Sequence, residues 1–165
     1  WLSGVSFKHL TFDVIKRSLI LSMIIGSALT LLNQTSAIFG QGEFQLIPTV
    51  FMFITPFIVI TLSQLVAAEQ ARIDCINGQN INPDISFLNI LVNRNIGMRA
   101  LIIALIMGLT NCTLMGLISL GIDGSLSLLS ENLVFQFFIL PLLFGALSQA
   151  ITIKRHLKLA MKSSA

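Results

Sequence analysis

The sequence predicts an all-α membrane protein with four transmembrane helices. Of its 165 residues 55% are hydrophobic and only 10% are charged, whereas a soluble domain carries roughly 25% charged residues. The apolar residues come in long continuous runs, and a water-soluble helix would instead keep one polar face. Because so few charges could not cover a water-facing surface, we expect the lipid bilayer to surround this chain.

Four runs have the length of a membrane helix, which needs about 20 predominantly apolar residues. They are 14–32, 46–68, 99–121 and 133–153. The first begins after residue 10, carries Lys16 and Arg17 at its start and has no small-x-small cleavage site. We therefore interpret it as a membrane helix rather than as a cleaved signal peptide.

The basic residues predict the orientation of these helices. All ten Lys and Arg lie before or at the start of the first run, between 72 and 99, or after 153. The two other loops, 33–45 and 122–132, have none and carry Glu43, Asp123 and Glu131. Since short loops rich in Lys and Arg stay cytoplasmic, both termini and the middle loop are expected in the cytoplasm. This topology accounts for the basic pI, so no nucleic-acid partner is predicted.

The two halves of the chain resemble each other. The matching segments are 17–20 with 99–102, Gly26 with Gly108, and 56–64 with 141–149. Because a two-helix unit returns the chain to its starting side, the copies are predicted to be parallel repeats about an axis along the membrane normal. The predicted parts are a first repeat (1–68), a cytoplasmic linker (69–97) with a short surface helix at 85–92, and a second repeat with a basic tail (98–165).

Paired prolines and polar residues are the candidate site. Pro56 and Pro141 each free a backbone carbonyl inside a helix, which in lipid is tolerated where protein or a water-filled cavity supplies partners. The pairs Ser63-Gln64 and Ser148-Gln149 follow about two turns later. Their donors could bind an anion, or they could only hold neighbouring helices together.

The remaining polar positions also have two interpretations. Ser18, Ser22, Gly26, Thr30 and Asn33 form a small polar stripe at about four-residue spacing, which is more typical of a helix-packing seam than of a permeation path. Arg17 and Arg99 open the first helix of each repeat, as topology anchors or as cations that draw an anion to the cytoplasmic mouth.

Other function classes are disfavoured. We find no Asp, Glu, Lys or Arg at mid-membrane depth, which argues against a carboxylate proton relay and a voltage sensor. No nucleophile elbow, His-Glu-x-x-His motif or phosphate-binding glycine loop occurs. The sequence therefore predicts no enzyme, and it indicates neither a metal site nor a cofactor.

The first repeat resembles the NrtS family of small nitrate/nitrite transporters. The resemblance lies in the basic pair Lys16-Arg17, in Gly26 followed by Leu32-Asn33-Gln34, and in Thr55-Pro56-Phe57-Ile58-Val59 with Ser63. It covers residues 14–66 and recurs weakly in 98–152. Thr35-Ser36 stands where the family tends to have Gly-Asp, and the second copy lacks the Asn.

This resemblance implies a tandem duplication of a two-helix unit, in a bacterial inner membrane, that moves nitrate or nitrite. The predicted substrate-binding residues are Arg17, Asn33, Thr55, Pro56, Ser63, Gln64, Arg99, Pro141, Ser148 and Gln149. Because four helices rarely enclose a pore, a homo- or hetero-oligomer is expected. The acidic outer loops do not help an anion to arrive. The alternative is a non-catalytic accessory subunit of a larger membrane complex.

Overall fold

The structure, a computed structural model, describes residues 7–77, 90, 95–124 and 131–164. Besides a 3-10 turn at Phe7–His9 and a one-turn helix at Thr35–Ile38, four long helices dominate this part. They are α1 (Phe12–Asn33), α2 (Leu46–Ile76), α3 (Ile96–Asp123) and α4 (Glu131–Ser164). Each is long and apolar enough to cross a membrane. The predicted class, an all-α membrane protein with four spanning helices, is therefore confirmed.

Local side-chain contacts fix the beginning and end of α1. Thr11 caps its N-terminus, where the hydroxyl accepts a hydrogen bond from the Val14 amide at 3.4 Å. Beyond its C-terminus, Gln34 donates to the carbonyl oxygen of Gln45 at 2.6 Å and accepts from the Gln45 amide at 2.8 Å. Gln34 also donates to the Thr49 hydroxyl at 2.6 Å. One buried side chain thus closes the connection from α1 to α2.

Two helices extend beyond the apolar runs. α2 continues to Ile76 rather than ending at 68, and α4 continues through the basic tail to Ser164. Glu69 and Arg72 pair across one turn of the α2 extension, with Nη2 to Oε1 at 2.6 Å, so the charged segment stays helical. α2 therefore includes residues 69–76, which the sequence pattern assigns to the linker. The predicted surface helix at 85–92 lies outside the described residues except for Ile90.

The helices form an antiparallel bundle with α2 and α4 at its centre. α1 packs on α2, and α3 packs on α4 and also touches α2. The starts of α1 and α3 lie beside the end of α2, as a contact between His9 and Glu69 and another between Arg99 and Gln70 show. Ile96 at the start of α3 shares a buried cluster with Ile153 near the end of α4, so that helix ends on the same side. We call this the basic end of the bundle.

The face that α1 turns to the bundle is polar and small. Its buried residues are Ser18, Ser22 and Gly26, whereas Ile24 and Leu32 are 63% and 75% exposed. This arrangement is the reverse of a soluble amphipathic helix and suits a helix surrounded by lipid. The predicted packing seam along α1 is confirmed.

The same close contact occurs in both halves. A Cβ at Gly26 would lie 2.3 Å from the Phe53 ring, and a Cβ at Gly108 would lie 2.5 Å from the Phe138 ring. Each phenylalanine stands three residues before a helix proline, Pro56 or Pro141. In each half, only glycine leaves room for the ring to lie against the first helix.

Candidate functional site

A cleft of about 500 Å³ lies at the basic end, between α1 and α4, with α2 behind it. α1 and α4 make little direct contact along this stretch, so the two helices leave the space open. Its lining includes three cations and four neutral hydrogen-bond donors: Lys8, Arg17, Arg155, Thr11, Gln64, Ser148 and Thr152.

The charge of the cleft is positive. Asp13 is the carboxylate in its described lining, against the three cations, and His9 and His156 also face it. The neighbouring Glu69 is already engaged, because it accepts from Arg72 Nε at 3.0 Å and lies 3.0 Å from His9 Nε2. An arginine guanidinium stays charged and can donate two parallel hydrogen bonds to an oxoanion. The cleft is therefore suited to a small anion rather than to a cation.

The inner part of the cleft is lined by neutral hydrogen-bond donors and apolar side chains. Gln64 is buried and donates to the Ser18 hydroxyl at 3.4 Å, and Ser148 is buried on the facing helix. Apolar side chains, among them Ala68 and Ile151, complete the walls. A polar group in such surroundings interacts more strongly with a ligand than it would in water. The inner end can therefore exchange an anion's hydration shell for amide and hydroxyl donors.

The structure brings together three of the residues predicted from the sequence. Arg17, Gln64 and Ser148 come from three helices and line the same cleft. Arg155, Thr152 and Lys8 were missed by the sequence analysis. Thr152 and Arg155 follow Ser148 by four and seven residues, the spacing of one helix face, and that spacing could have indicated them. Lys8 precedes α1, and no periodicity points to it.

Ser63 and Gln149, the other members of the two Ser-Gln pairs, lie deeper in the protein. Both are completely buried. Among the described residues, neither the Ser63 hydroxyl nor the Gln149 amide has a hydrogen-bond partner. Gly145 lies next to Ser63, since a Cβ there would be 3.3 Å from the Ser63 hydroxyl. The polar pairs are thus divided between the open cleft and the interior.

The prolines line a separate, small cavity. Pro56 and Pro141 face each other's helices across a space of about 20 Å³, surrounded mainly by apolar side chains. Such a volume holds about one water molecule. Thr55 also borders it, and its hydroxyl accepts a hydrogen bond from Asn111 of α3 at 2.8 Å. The prediction that both prolines face a shared axis agrees with this placement.

Asn33 and Arg99 lie away from the cleft. Asn33 forms a reciprocal amide pair with Gln136 of α4, with distances of 2.7 and 2.9 Å. Arg99 Nη2 donates to Gln70 Oε1 at 2.5 Å. Asn33 therefore joins α1 to α4 at the end opposite the cleft, and Arg99 joins α3 to α2. In the structure both residues therefore link neighbouring helices.

The described residues contain no group of three or more His, Cys, Asp or Glu that could hold a metal ion. The cleft has two histidines, but its other nitrogen and oxygen groups are mainly cationic or neutral donors. The three cations, Lys8, Arg17 and Arg155, would repel a metal cation.

Comparison of the chain with protein-family models, with curated proteins and with solved structures finds no match.

Proposed function

We propose that this protein is a small transporter or channel for an inorganic anion, nitrate or nitrite, in the bacterial inner membrane. The basic cleft is the observation that carries the proposal. Its cations at the mouth attract an anion, and the neutral donors Gln64 and Ser148 replace part of the hydration shell farther in. A site without a deep fixed charge binds weakly enough to release its ion, which conduction requires.

The route beyond the cleft follows the contact between α2 and α4. Gln64 and Ser148 end the open part, Ser63 and Gln149 come next, and Pro56 and Pro141 stand roughly 12 Å from Gln64 along the helix axis, at 1.5 Å per residue. This contact is packed closed in the structure. Opening therefore requires α2 and α4 to separate, and a proline-containing helix has the missing backbone hydrogen bond at which it bends.

The proposal includes a tandem duplication and the orientation with both termini in the cytoplasm. The equivalent glycine–phenylalanine contacts at Gly26 and Gly108 support the duplication, because the second helix packs on the first in the same way in each half. The distribution of Lys and Arg supports the orientation. With this orientation the cleft opens to the cytoplasm.

An oligomer is part of the proposal as well. Residues of α1 that point away from α2, such as Ile24 and Leu32, are largely exposed. The cleft is bounded by one helix of each half and is open at the side where α1 and α4 diverge. A second copy or a different subunit would complete the wall of a pathway that four helices do not enclose.

Uptake of nitrate and nitrite into proteoliposomes that contain only this protein tests the function. We expect uptake by the wild type. The uptake rate of the double variant Gln64→Leu/Ser148→Ala should be at least tenfold lower. Thr110→Val is the matched control, because it removes an exposed hydroxyl that bonds to the Ile106 carbonyl of its own helix. Its uptake should remain within twofold of the wild type.

Two results would reject the transporter. One is no uptake from well-folded protein, and the other is equal uptake by the cleft variant and the wild type. Reproducible co-purification with unrelated chains in fixed ratio, together with no uptake, would favour the accessory subunit of a larger membrane complex instead.

A further inference from the structure

The internal repeat gives the cleft a counterpart in the other half of the molecule. The alignment that places Arg17 on Arg99 and Gln64 on Gln149 also places Ser148 on Ser63 and Arg155 on Gln70. All four members of the first set line the open cleft: Arg17, Gln64, Ser148 and Arg155. The second set lies where α2, α3 and α4 meet.

This second location is packed shut. Val59 of α2 packs with Ile103 and Met107 of α3. A Cβ at Gly145 of α4 would lie 3.7 Å from the Cβ of Ala100, so all three helices converge there. Ile103 is 5% exposed, whereas Leu21, its equivalent beside the cleft, is 43% exposed.

A chain of hydrogen bonds holds α3 against α2 at the mouth of this location. Arg99 Nη2 donates to Gln70 Oε1 at 2.5 Å, and Gln70 Nε2 donates to Asp74 Oδ1 at 2.6 Å. In the open half, the positions equivalent to Gln70 and Asp74 are Arg155 and Leu159, which cannot form this chain. We call the Arg99–Gln70–Asp74 chain the latch.

The closed location nevertheless keeps polar groups that the packing does not use. Ser63 and Gln149 are completely buried, and no described residue bonds to the Ser63 hydroxyl or to the Gln149 amide. In the open half Gln64 bonds to Ser18, but the equivalent of Ser18 is Ala100, which has no hydroxyl. Buried polar groups are nearly always hydrogen-bonded, so unpartnered ones need an explanation. A ligand that occupies the site in another state supplies that explanation.

We propose that Ser63, Gln149 and Arg99 form a second anion-binding site. α3 occludes this site, and the site becomes accessible when the latch opens. Its ligand is the same class as that of the cleft, a small monovalent inorganic oxoanion. The Ser63 hydroxyl and the Gln149 amide donate hydrogen bonds to it, and Arg99 supplies the positive charge once it leaves Gln70. This site rests on the proposed function, since the cleft defines the ligand.

Thiol labelling of the detergent-solubilised protein tests the second site. Cys75 and Cys112 are first replaced by Ala. Two matched single-cysteine variants are then made, one with Leu21→Cys and one with Ile103→Cys. A charged, water-soluble thiol reagent reports access, and nitrate is compared with gluconate at equal ionic strength. The latch is removed by Gln70→Arg/Asp74→Leu, which installs the residues of the open half.

We expect Leu21→Cys to react in both backgrounds and to be slowed by nitrate. Ile103→Cys should react at least tenfold faster without the latch than with it, and nitrate should slow that reaction about twofold or more. Adding Gln149→Leu should remove the nitrate effect at Ile103→Cys but not at Leu21→Cys. The deeply buried Met115→Cys should stay unreactive in both backgrounds, which shows that the bundle remains folded.

The second site is rejected if Ile103→Cys reacts at the same rate with and without the latch, or reacts without protection by nitrate while Leu21→Cys is protected. Lack of nitrate protection at Leu21→Cys would instead reject the anion cleft of the proposed function. If Met115→Cys becomes reactive, the single variant Gln70→Leu, which removes only the Arg99 acceptor, decides by the same criteria.

Discussion

At the scale of single residues, Gly26 and Gly108 allow each two-helix unit to close. Each accepts a phenylalanine ring at a distance that no Cβ could tolerate. The ring carbons nearest to these glycines include the one attached to the side-chain stem, so a small rotation of the ring would not relieve the clash. The role of these glycines is therefore close approach and not backbone flexibility.

Replacing either glycine by alanine should destabilise the bundle. We expect Gly26→Ala and Gly108→Ala each to cost about 1–3 kcal/mol, as overpacked cores do, and to lower the melting temperature in detergent. Gly97→Ala is the matched control, since nothing lies within 4 Å of a Cβ there and alanine favours a helix. Equal melting temperatures for Gly26→Ala and the wild type would contradict this role.

At the scale of the elements, polar side chains join helices across the bundle, and between α1 and α4 they do so where there is little other contact. The Asn33–Gln136 amide pair connects α1 with α4 at the end away from the cleft, although these two helices otherwise hardly meet. On α2, Thr55 accepts from Asn111 of α3. The cleft can stay open at one end because α1 is held to α4 at the other.

A double-mutant cycle with Asn33→Leu and Gln136→Leu measures this connection. Hydrogen bonds between membrane helices average about 0.6 kcal/mol, with about 1.7 kcal/mol at most. We expect a coupling in this range between the two substitutions in unfolding measurements. Asn33→Leu combined with Thr110→Val, which share no contact, should show additive effects. Additive effects of Asn33→Leu and Gln136→Leu would contradict the pair.

The element scale also separates what the sequence could predict from what it could not. The four spans follow from apolar runs, so they were predictable. The extension of α2 to Ile76 was not, because Glu69 and Arg72 resemble loop residues until their pairing within the helix is known. Residue type and repetition predict Arg17, Gln64 and Ser148 as site residues. Their meeting in one cleft depends on how far α1 and α4 diverge, which no local pattern encodes.

At the scale of the whole molecule, the charge distribution has two consequences. The basic end gathers the starts of α1 and α3 and the ends of α2 and α4, and the cleft opens there. In the proposed orientation and function, the same cations would direct membrane insertion and then attract the anion. The same residues can have both roles, because the cleft is proposed to open on the cytoplasmic side.

Impermeant thiol labelling of intact bacterial spheroplasts checks the orientation. In the background without native cysteines, Ser36→Cys in the loop between α1 and α2 should react with a bulky reagent added outside. Lys158→Cys near the end of α4 should react only after the membrane is permeabilised. Both positions are exposed at the protein surface. Labelling of Lys158→Cys in intact spheroplasts, with Ser36→Cys protected, would show the opposite orientation.

The most direct test of the anion cleft is the effect of nitrate on the melting temperature of the purified protein. A ligand at 100 times its dissociation constant stabilises the folded state by about 2.7 kcal/mol. At equal ionic strength, nitrate should therefore raise the melting temperature above that in gluconate. Arg17→Gln/Arg155→Gln should lose this increase. Lys16→Gln/Lys154→Gln removes the same charge from neighbouring positions outside the cleft lining and should keep it. An equal increase in both double variants, or none in the wild type, would contradict anion binding in the cleft.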